Sequence, residues 1–289
     1  MKNFKKVSAP VRVDISACWP DCDPYRQDYG GFLLNAAIKQ RVYTRRLNGD
    51  FVCSVREVPT NSGLGVSAAI RTTFMIASNP AILDKFSLTD KIFKVYTFEN
   101  QVLHHRAGLQ DQAAALEGGV NLWEFRKDNK VNKYPIERKR TKHLEKRLVI
   151  IYTGQKHESV DMHNIVFSPK NYKKIIPAIK QMSKVAKLMA GQIDNQVAMT
   201  DLINESRELH RKPFSGVVTN TMKVLASRLK GGYLAWKATG AGGGGSMLFY
   251  TPDTKALIKF FNKIRRQKNL PKESKIFPVK FDYKGLIVK

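Results

Sequence analysis

The spacing of apolar residues predicts both strands and helices along the chain. Val11, Val13 and Ile15 alternate with polar residues, which is the two-residue period of a half-buried strand. Further strands are predicted at 32–38, 40–43, 51–55, 147–154 and 247–250, and helices at 70–77, 87–104, 172–210 (broken near Gly191) and 253–266. Because these elements do not alternate as regular βαβ units, we expect an α+β fold rather than a doubly wound sheet.

Two glycine-rich segments interrupt this pattern. Asn61–Ala69 leads directly into a predicted helix, so its backbone amides and the helix N-terminus could hold a phosphate, although such a segment can also be a simple tight turn. It is not a Walker loop, since no Gly-Lys-Ser/Thr follows. The second segment has five glycines within 240–245 and continues into an apolar strand, which disfavours a flexible linker.

Two carboxylates stand in apolar surroundings. Glu99 continues the apolar stripe formed by Ile92 and Val95, which predicts an inward-facing carboxylate that needs a partner or a metal. A glutamate at the edge of the stripe that reaches water is the alternative. Asp111 precedes a run of alanines, so it is a candidate base; a helix-capping aspartate after Gly108 is the alternative.

Composition is that of an ordinary water-soluble protein with an excess of positive charge. The 289 residues are 43% hydrophobic and carry a formal charge of +26. This charge fits binding of either nucleic acid or anionic small molecules.

We expect the chain to divide into two domains near residue 146, with domains 1–146 and 147–289. The three cysteines predict free thiols in a reducing cytoplasm, and no apolar segment is long enough to span a membrane.

Four segments in this order resemble the GHMP kinases: Ala9–Asp14, Ser62–Ala69, Gly108–Gln112 and Lys237–Gly245. The N-terminal part, through Trp19, Asp21 and the residues up to Asn35, is similar to the sugar-kinase branch that contains fucokinases and heptose 7-phosphate kinases. The sequence departs from that branch at Ala17 and Cys18, where relatives have glycine. It also has Val66 where many relatives have serine.

The resemblance implies a two-domain α+β fold with the active site between the domains, and ATP and Mg²⁺ as cofactors. It implies Asp111 as the base and Arg12 as the residue that stabilises negative charge. By the same resemblance the nucleotide phosphates would contact Ser62, Gly63, Leu64, Gly65, Val66 and Ser67; magnesium would bind Ser67 and Glu99; and the acceptor would contact Trp19, Asp21, Gly240, Gly242 and Gly243.

The function implied is transfer of the γ-phosphate of ATP to the anomeric hydroxyl of a sugar, fucose-like or heptose 7-phosphate, to give a sugar 1-phosphate. Trp19 favours the fucose-like acceptor by this resemblance. The expected partner is therefore a sugar or sugar phosphate, with no nucleic acid and no membrane. Three alternatives remain open: a kinase of a non-sugar alcohol such as mevalonate or homoserine, a basic nucleic-acid-binding protein, and a nucleotide-binding protein without catalysis.

Overall fold

The computed structural model describes residues 6–104, 106–156, 159–213, 215–267 and 270–289. The strands are β1 (Lys6–Asp14), β2 (Gly31–Leu47), β3 (Asp50–Val55), β4 (Val120–Phe125), β5 (Val131–Pro135), β6 (Leu148–Tyr152), β7 (Ala235–Ala238), β8 (Ser246–Tyr250), β9 (Lys275–Pro278) and β10 (Ile287–Val288). The α-helices are α1 (Tyr25–Tyr29), α2 (Val66–Ser78), α3 (Ala81–Lys85), α4 (Leu88–Thr97), α5 (Gln110–Glu117), α6 (Arg138–Thr141), α7 (Ser159–Val166), α8 (Pro169–Gly191), α9 (Gln196–Arg211), α10 (Asn220–Arg228) and α11 (Thr254–Arg266).

Within the described residues, the strands form two antiparallel sheets. The first has the order β10-β1-β2-β4-β5, with β3 paired to β2, and the second has the order β7-β8-β6-β9. Helices α2 and α5 pack against β1 and β2, α8 packs against β2, and α9 packs against β7. This mixture of antiparallel sheets and separately placed helices confirms the predicted α+β class.

Strand β1 shows how the period-2 pattern positions polar groups. Val11, Val13 and Ile15 are buried on one face, so the residues between them, Arg12 and Asp14, lie on the other. The pairing with β2 shifts by a bulge between Pro10 and Val11, just before these residues. The bulge and the alternation together place Arg12 and Asp14 on one face of the strand.

Two predicted elements differ from the structure in extent. The segments 32–38 and 40–43 are parts of one continuous strand, β2, which turns at Asn48 into β3. The helix predicted over 87–104 begins as expected, with Ser87 and Asp90 forming a capping box, but it changes to a π-helical turn over Phe98–Val102. The spacing of apolar residues predicts that a helix is present. It does not reveal where the backbone hydrogen bonds change from the α-helical to the π-helical pattern.

The buried core connects both halves of the chain. One apolar cluster brings together Val13 of β1, Ile150 of β6 and Met189 of α8, and the C-terminal β10 pairs with β1.

The division of the chain into two domains near residue 146 stays a prediction. The basic stretch around 137–147 contains the short helix α6 and a 3-10 turn over Leu144–Lys146. Across the described residues, no helix is long and apolar enough to cross a membrane.

Candidate active site

A cleft lies where the N-terminal ends of α2 and α5 approach the loop between β7 and β8. Many of the residues that the sequence singled out meet there. Those lining the cleft are Arg12, Trp19, Asp21, Ser62, Gly63, Gly65, Val66, Ser67, Glu99, Asp111 and Gly240. These positions come from five separate segments of the chain, so the fold assembles them rather than their sequence spacing.

At the centre of the cleft, Arg12 and Asp111 form an ion pair. The Arg12 Nε donates to Asp111 Oδ1 at 2.6 Å, and its Nη1 donates to the Gly63 carbonyl oxygen at 2.6 Å. The arginine side chain is 5% exposed and the aspartate side chain 22% exposed. The guanidinium is therefore fixed from two sides, while the carboxylate keeps access to the cleft.

The N-terminus of α2 is open toward this pair. Its N-cap, Gly65, has φ of +71° and provides no side-chain hydrogen bond, so the amides of the first turn have no cap. A Cβ at Gly65 would lie 3.2 Å from the Arg12 side chain and 3.3 Å from Asp111, which leaves little room for any larger residue. The Ser62 hydroxyl is buried with no hydrogen-bond partner among the described residues. Uncapped amides, a helix dipole and an unpaired hydroxyl form a site suited to an anion.

The two glycine loops contact each other at this point. A Cβ at Gly63 would lie 2.9 Å from the Thr239 carbonyl oxygen, and one at Gly240 would lie 3.0 Å from the Gly63 carbonyl oxygen. The glycines thus permit close approach, but the approaching group is the protein's own backbone. Gly242 and Gly243 face Val217 and Met162 and do not line the cleft. Of the three glycines predicted to contact the acceptor, Gly240 is the one that lines it. Leu64 is buried behind the loop.

A buried ion pair between Asp14 and Lys237 was not predicted from the sequence. The Lys237 Nζ donates to Asp14 Oδ2 at 2.7 Å and to the Asp14 carbonyl oxygen at 3.0 Å, and both side chains are fully buried. The Gly240 amide donates to Asp14 Oδ1 at 2.9 Å. This pair joins β1 to the second glycine loop. A lysine inside the otherwise apolar strand Ala235–Ala238 was the signal that could have pointed to it.

Asp21 and Trp19, predicted to contact the acceptor, lie at one wall of the cleft. Asp21 is fully buried and accepts a hydrogen bond from the Gln110 amide at 2.9 Å. Burial raises the pKa of Asp21 to about 6. The Trp19 ring is fully buried, with its edge against the His210 ring at a centroid distance of 4.5 Å. The contact of Trp19 with the acceptor stays a prediction.

The raised pKa of Asp21 predicts a stability cost at neutral pH. Because its folded pKa of about 6 exceeds the ordinary 3.8, the folded state binds the extra proton, and stability falls as pH rises from about 4 to 6. We expect Asp21→Asn to increase the free energy of unfolding at pH 8 by roughly 1–3 kcal/mol, and by much less at pH 4. Urea unfolding at both pH values measures this. A variant that is less stable than wild type at pH 8 would contradict it.

The predicted magnesium ligands Ser67 and Glu99 lie close together, but both already bind Arg71. The Arg71 Nη1 donates to Ser67 Oγ and to Glu99 Oε1. Gln112 Nε2 donates to the other Glu99 oxygen at 2.9 Å. Burial raises the pKa of Glu99 to about 7, against the opposing effect of Arg71. Because one guanidinium nitrogen donates to both Ser67 Oγ and Glu99 Oε1, these two side chains do not fit a magnesium ion in the observed arrangement. Their role as magnesium ligands stays a prediction of the resemblance alone.

No protein-family model matches the chain. A curated relative, the D-glycero-alpha-D-manno-heptose 7-phosphate kinase of Campylobacter jejuni, is 26% identical over 219 residues, which is 72% of this chain. The chain spans about 63% of the length of that relative.

Solved structures match over nearly the full chain. A D-glycero-D-manno-heptose 1-phosphate kinase from Bacteroides thetaiotaomicron has a TM-score of 0.70 at 19% identity, and the match covers 97% of both chains. A galactokinase from Lactococcus lactis, solved with galactose, has a TM-score of 0.71 at 14% identity, covering 99% of this chain and 95% of that one. These similarities confirm the fold that the sequence resemblance implied.

Proposed function

We propose that this chain, a member of the GHMP kinase superfamily, is an ATP-dependent sugar kinase that phosphorylates the anomeric hydroxyl. The observation that carries the proposal is the Arg12–Asp111 ion pair beside the uncapped N-terminus of α2. Phosphoryl transfer depends mainly on positioning and on stabilising charge, and this arrangement supplies both a carboxylate and fixed positive groups at one point. Neither a nucleic-acid-binding protein nor a binding module needs a carboxylate at that position.

In this proposal the nucleotide phosphates bind at the N-terminus of α2. The amides of the first turn and the Ser62 hydroxyl would donate to the phosphate oxygens, since none of the described side chains caps this helix. Magnesium bound to the nucleotide would help to neutralise phosphate charge. The Gly63 carbonyl and the Asp111 carboxylate hold the Arg12 guanidinium at the same end of the helix, where negative charge develops during transfer.

Asp111 would accept the proton of the attacking hydroxyl. Its Oδ1 holds Arg12, and the side chain keeps 22% exposure toward the cleft, so a substrate can reach it. An anomeric hydroxyl is more acidic than an ordinary alcohol, so a carboxylate of modest basicity can assist its attack. Asp21, at the wall beside Gln110, would accept hydrogen bonds from other sugar hydroxyls.

The acceptor we propose is a phosphorylated sugar rather than a neutral one. Arg106 is exposed and lines the same cleft as Gly108 and Asp21. A guanidinium in this position can bind a phosphate with two parallel hydrogen bonds. The curated relative is a kinase of a heptose 7-phosphate. Trp19, which favoured a fucose-like sugar by resemblance, is fully buried and offers no exposed ring face.

A substrate panel tests the proposal. We expect phosphorylation of a heptose 7-phosphate to exceed that of fucose by about tenfold or more in kcat/KM, because the phosphate adds a charge-assisted contact. Phosphorus NMR of the product should show a phosphate at C1. Mevalonate, homoserine and galactose complete the panel.

Arg106→Gln provides the control for acceptor choice. It should raise the KM for the sugar phosphate and leave that for the neutral sugar unchanged, since only the sugar phosphate carries a group that the guanidinium would bind. Transfer to none of these compounds would reject the kinase proposal. Transfer only to a primary hydroxyl would reject the anomeric assignment while keeping the kinase.

A further inference from the structure

Arg71 occupies a place where the family resemblance implies a metal ion. It lies one helical turn after Ser67 in α2, so its side chain lies on the same face of the helix. One nitrogen, Nη1, donates to both Ser67 Oγ and Glu99 Oε1. The arginine side chain is 12% exposed and the glutamate side chain 5% exposed, so the ion pair is largely removed from water.

The oxygens of Glu99 are both engaged. Oε1 accepts from Arg71 and Oε2 accepts from Gln112 Nε2 at 2.9 Å. A magnesium ion needs near-octahedral oxygen ligands at about 2.0–2.1 Å and would have to displace the guanidinium to obtain them. Elsewhere in the described chain, no cluster of three or more His, Cys, Asp or Glu side chains could hold a metal instead.

The charge balance explains what Arg71 does. An unpaired Glu99 carboxylate beside Ser67 would repel phosphate groups bound at the start of α2. Arg71 cancels that charge permanently, as a metal ion would do only when bound. A guanidinium carries a permanent charge, and Ser67 Oγ and Glu99 Oε1 hold it in place, so this compensation requires no free cation.

We propose that Arg71 replaces a protein-held magnesium ion at the Ser67–Glu99 pair. Arg71 is then a positioning residue that keeps both side chains neutralised and in place, and divalent metal reaches the cleft only on the nucleotide. The claim that the Ser67–Glu99 pair holds no magnesium ion rests on the ion pair between Arg71 and Glu99. The nucleotide part rests on the proposed kinase function.

The experiment measures metal and nucleotide binding separately. The EPR signal of free Mn²⁺ is titrated with wild type, Arg71→Gln, Glu99→Gln, and Arg71→Gln combined with Glu99→Gln, without nucleotide. We expect no wild-type Mn²⁺ binding below about 1 mM, a gain of at least about tenfold in affinity in Arg71→Gln, and loss of that gain in the double variant.

Nucleotide affinity is then measured by calorimetry with ATP in EDTA and in magnesium. We expect Arg71→Gln to bind metal-free ATP about tenfold or more weakly than wild type, with most of the loss recovered by magnesium. Arg71→Lys should retain affinity because it keeps the cation. Arg45→Gln, which removes one exposed positive charge on β2, controls for overall charge and should change neither measurement.

Wild-type Mn²⁺ binding that is lost in Glu99→Gln would overturn the inference, as would the absence of any gain in Arg71→Gln. The wild-type titration decides this even if a variant fails to fold. Failure of wild type to bind ATP under every condition would instead reject the proposed function, and the Mn²⁺ titrations would still decide the role of Arg71.

Discussion

Asp111→Asn is expected to lower kcat by at least ~100-fold with the preferred sugar, because the amide cannot accept the proton of the attacking hydroxyl. The substitution preserves size, and the amide oxygen can still accept from Arg12 Nε, which now donates at 2.6 Å. ATP affinity should therefore change little. Single-turnover measurements of phosphoryl transfer, together with calorimetric ATP binding, separate the two effects.

Asp128→Asn is a matched control for this substitution. Asp128 forms an exposed ion pair with Arg126, away from the cleft-lining residues, so the same chemical change there should leave kcat unaltered. Near-normal turnover in Asp111→Asn would remove Asp111 from the mechanism. A loss confined to KM would indicate that Asp111 binds the acceptor but does not move its proton.

Lys237→Met should destabilise the protein by about 3–5 kcal/mol, because it leaves the Asp14 carboxylate buried without its main partner. Both side chains are fully buried, and the lysine Nζ lies 2.7 Å from Asp14 Oδ2. The Gly240 amide and Arg12, whose Nη1 is 3.7 Å from Asp14, compensate only part of the charge. Urea unfolding at pH 7 measures the loss.

Two comparisons separate this ion pair from a simple packing effect. Lys255→Met removes an exposed lysine on α11 and should change stability by less than about 0.5 kcal/mol. The double variant Asp14→Asn with Lys237→Met should lose less than the sum of the two single losses, since neither charge is left unpaired. Additive losses in the double variant would show that the two side chains do not act as a pair.

Local pattern predicted several parts of the site. The alternation around Val13 placed Arg12 and Asp14 on one face of a strand, since strand geometry repeats every two residues. The stripe on the helix after Ser87 predicted an inward Glu99, and the structure buries it to 4% exposure. The glycine segment before α2 predicted a loop that leads into an exposed helix N-terminus. Each of these depends on backbone geometry over a few residues.

The partners of these residues could not be predicted in the same way. Asp14 and Lys237 are 223 positions apart, and only the approach of β1 to β7 brings them into contact. Arg71 reaches Glu99 across 28 positions because α2 and the turn over Phe98–Val102 lie side by side. No short pattern encodes such a distance, because it is fixed by the orientation of separately formed elements.

The sequence by itself therefore determined which residues are candidates for the site, since periodicity and residue type act locally. Only the tertiary structure decided what each of them binds. Glu99 was predicted to need a partner or a metal because a carboxylate is costly to bury alone, and in the structure its partner is the Arg71 guanidinium. The choice between an arginine and a metal ion depends on a contact between two elements, which is a property of the folded chain.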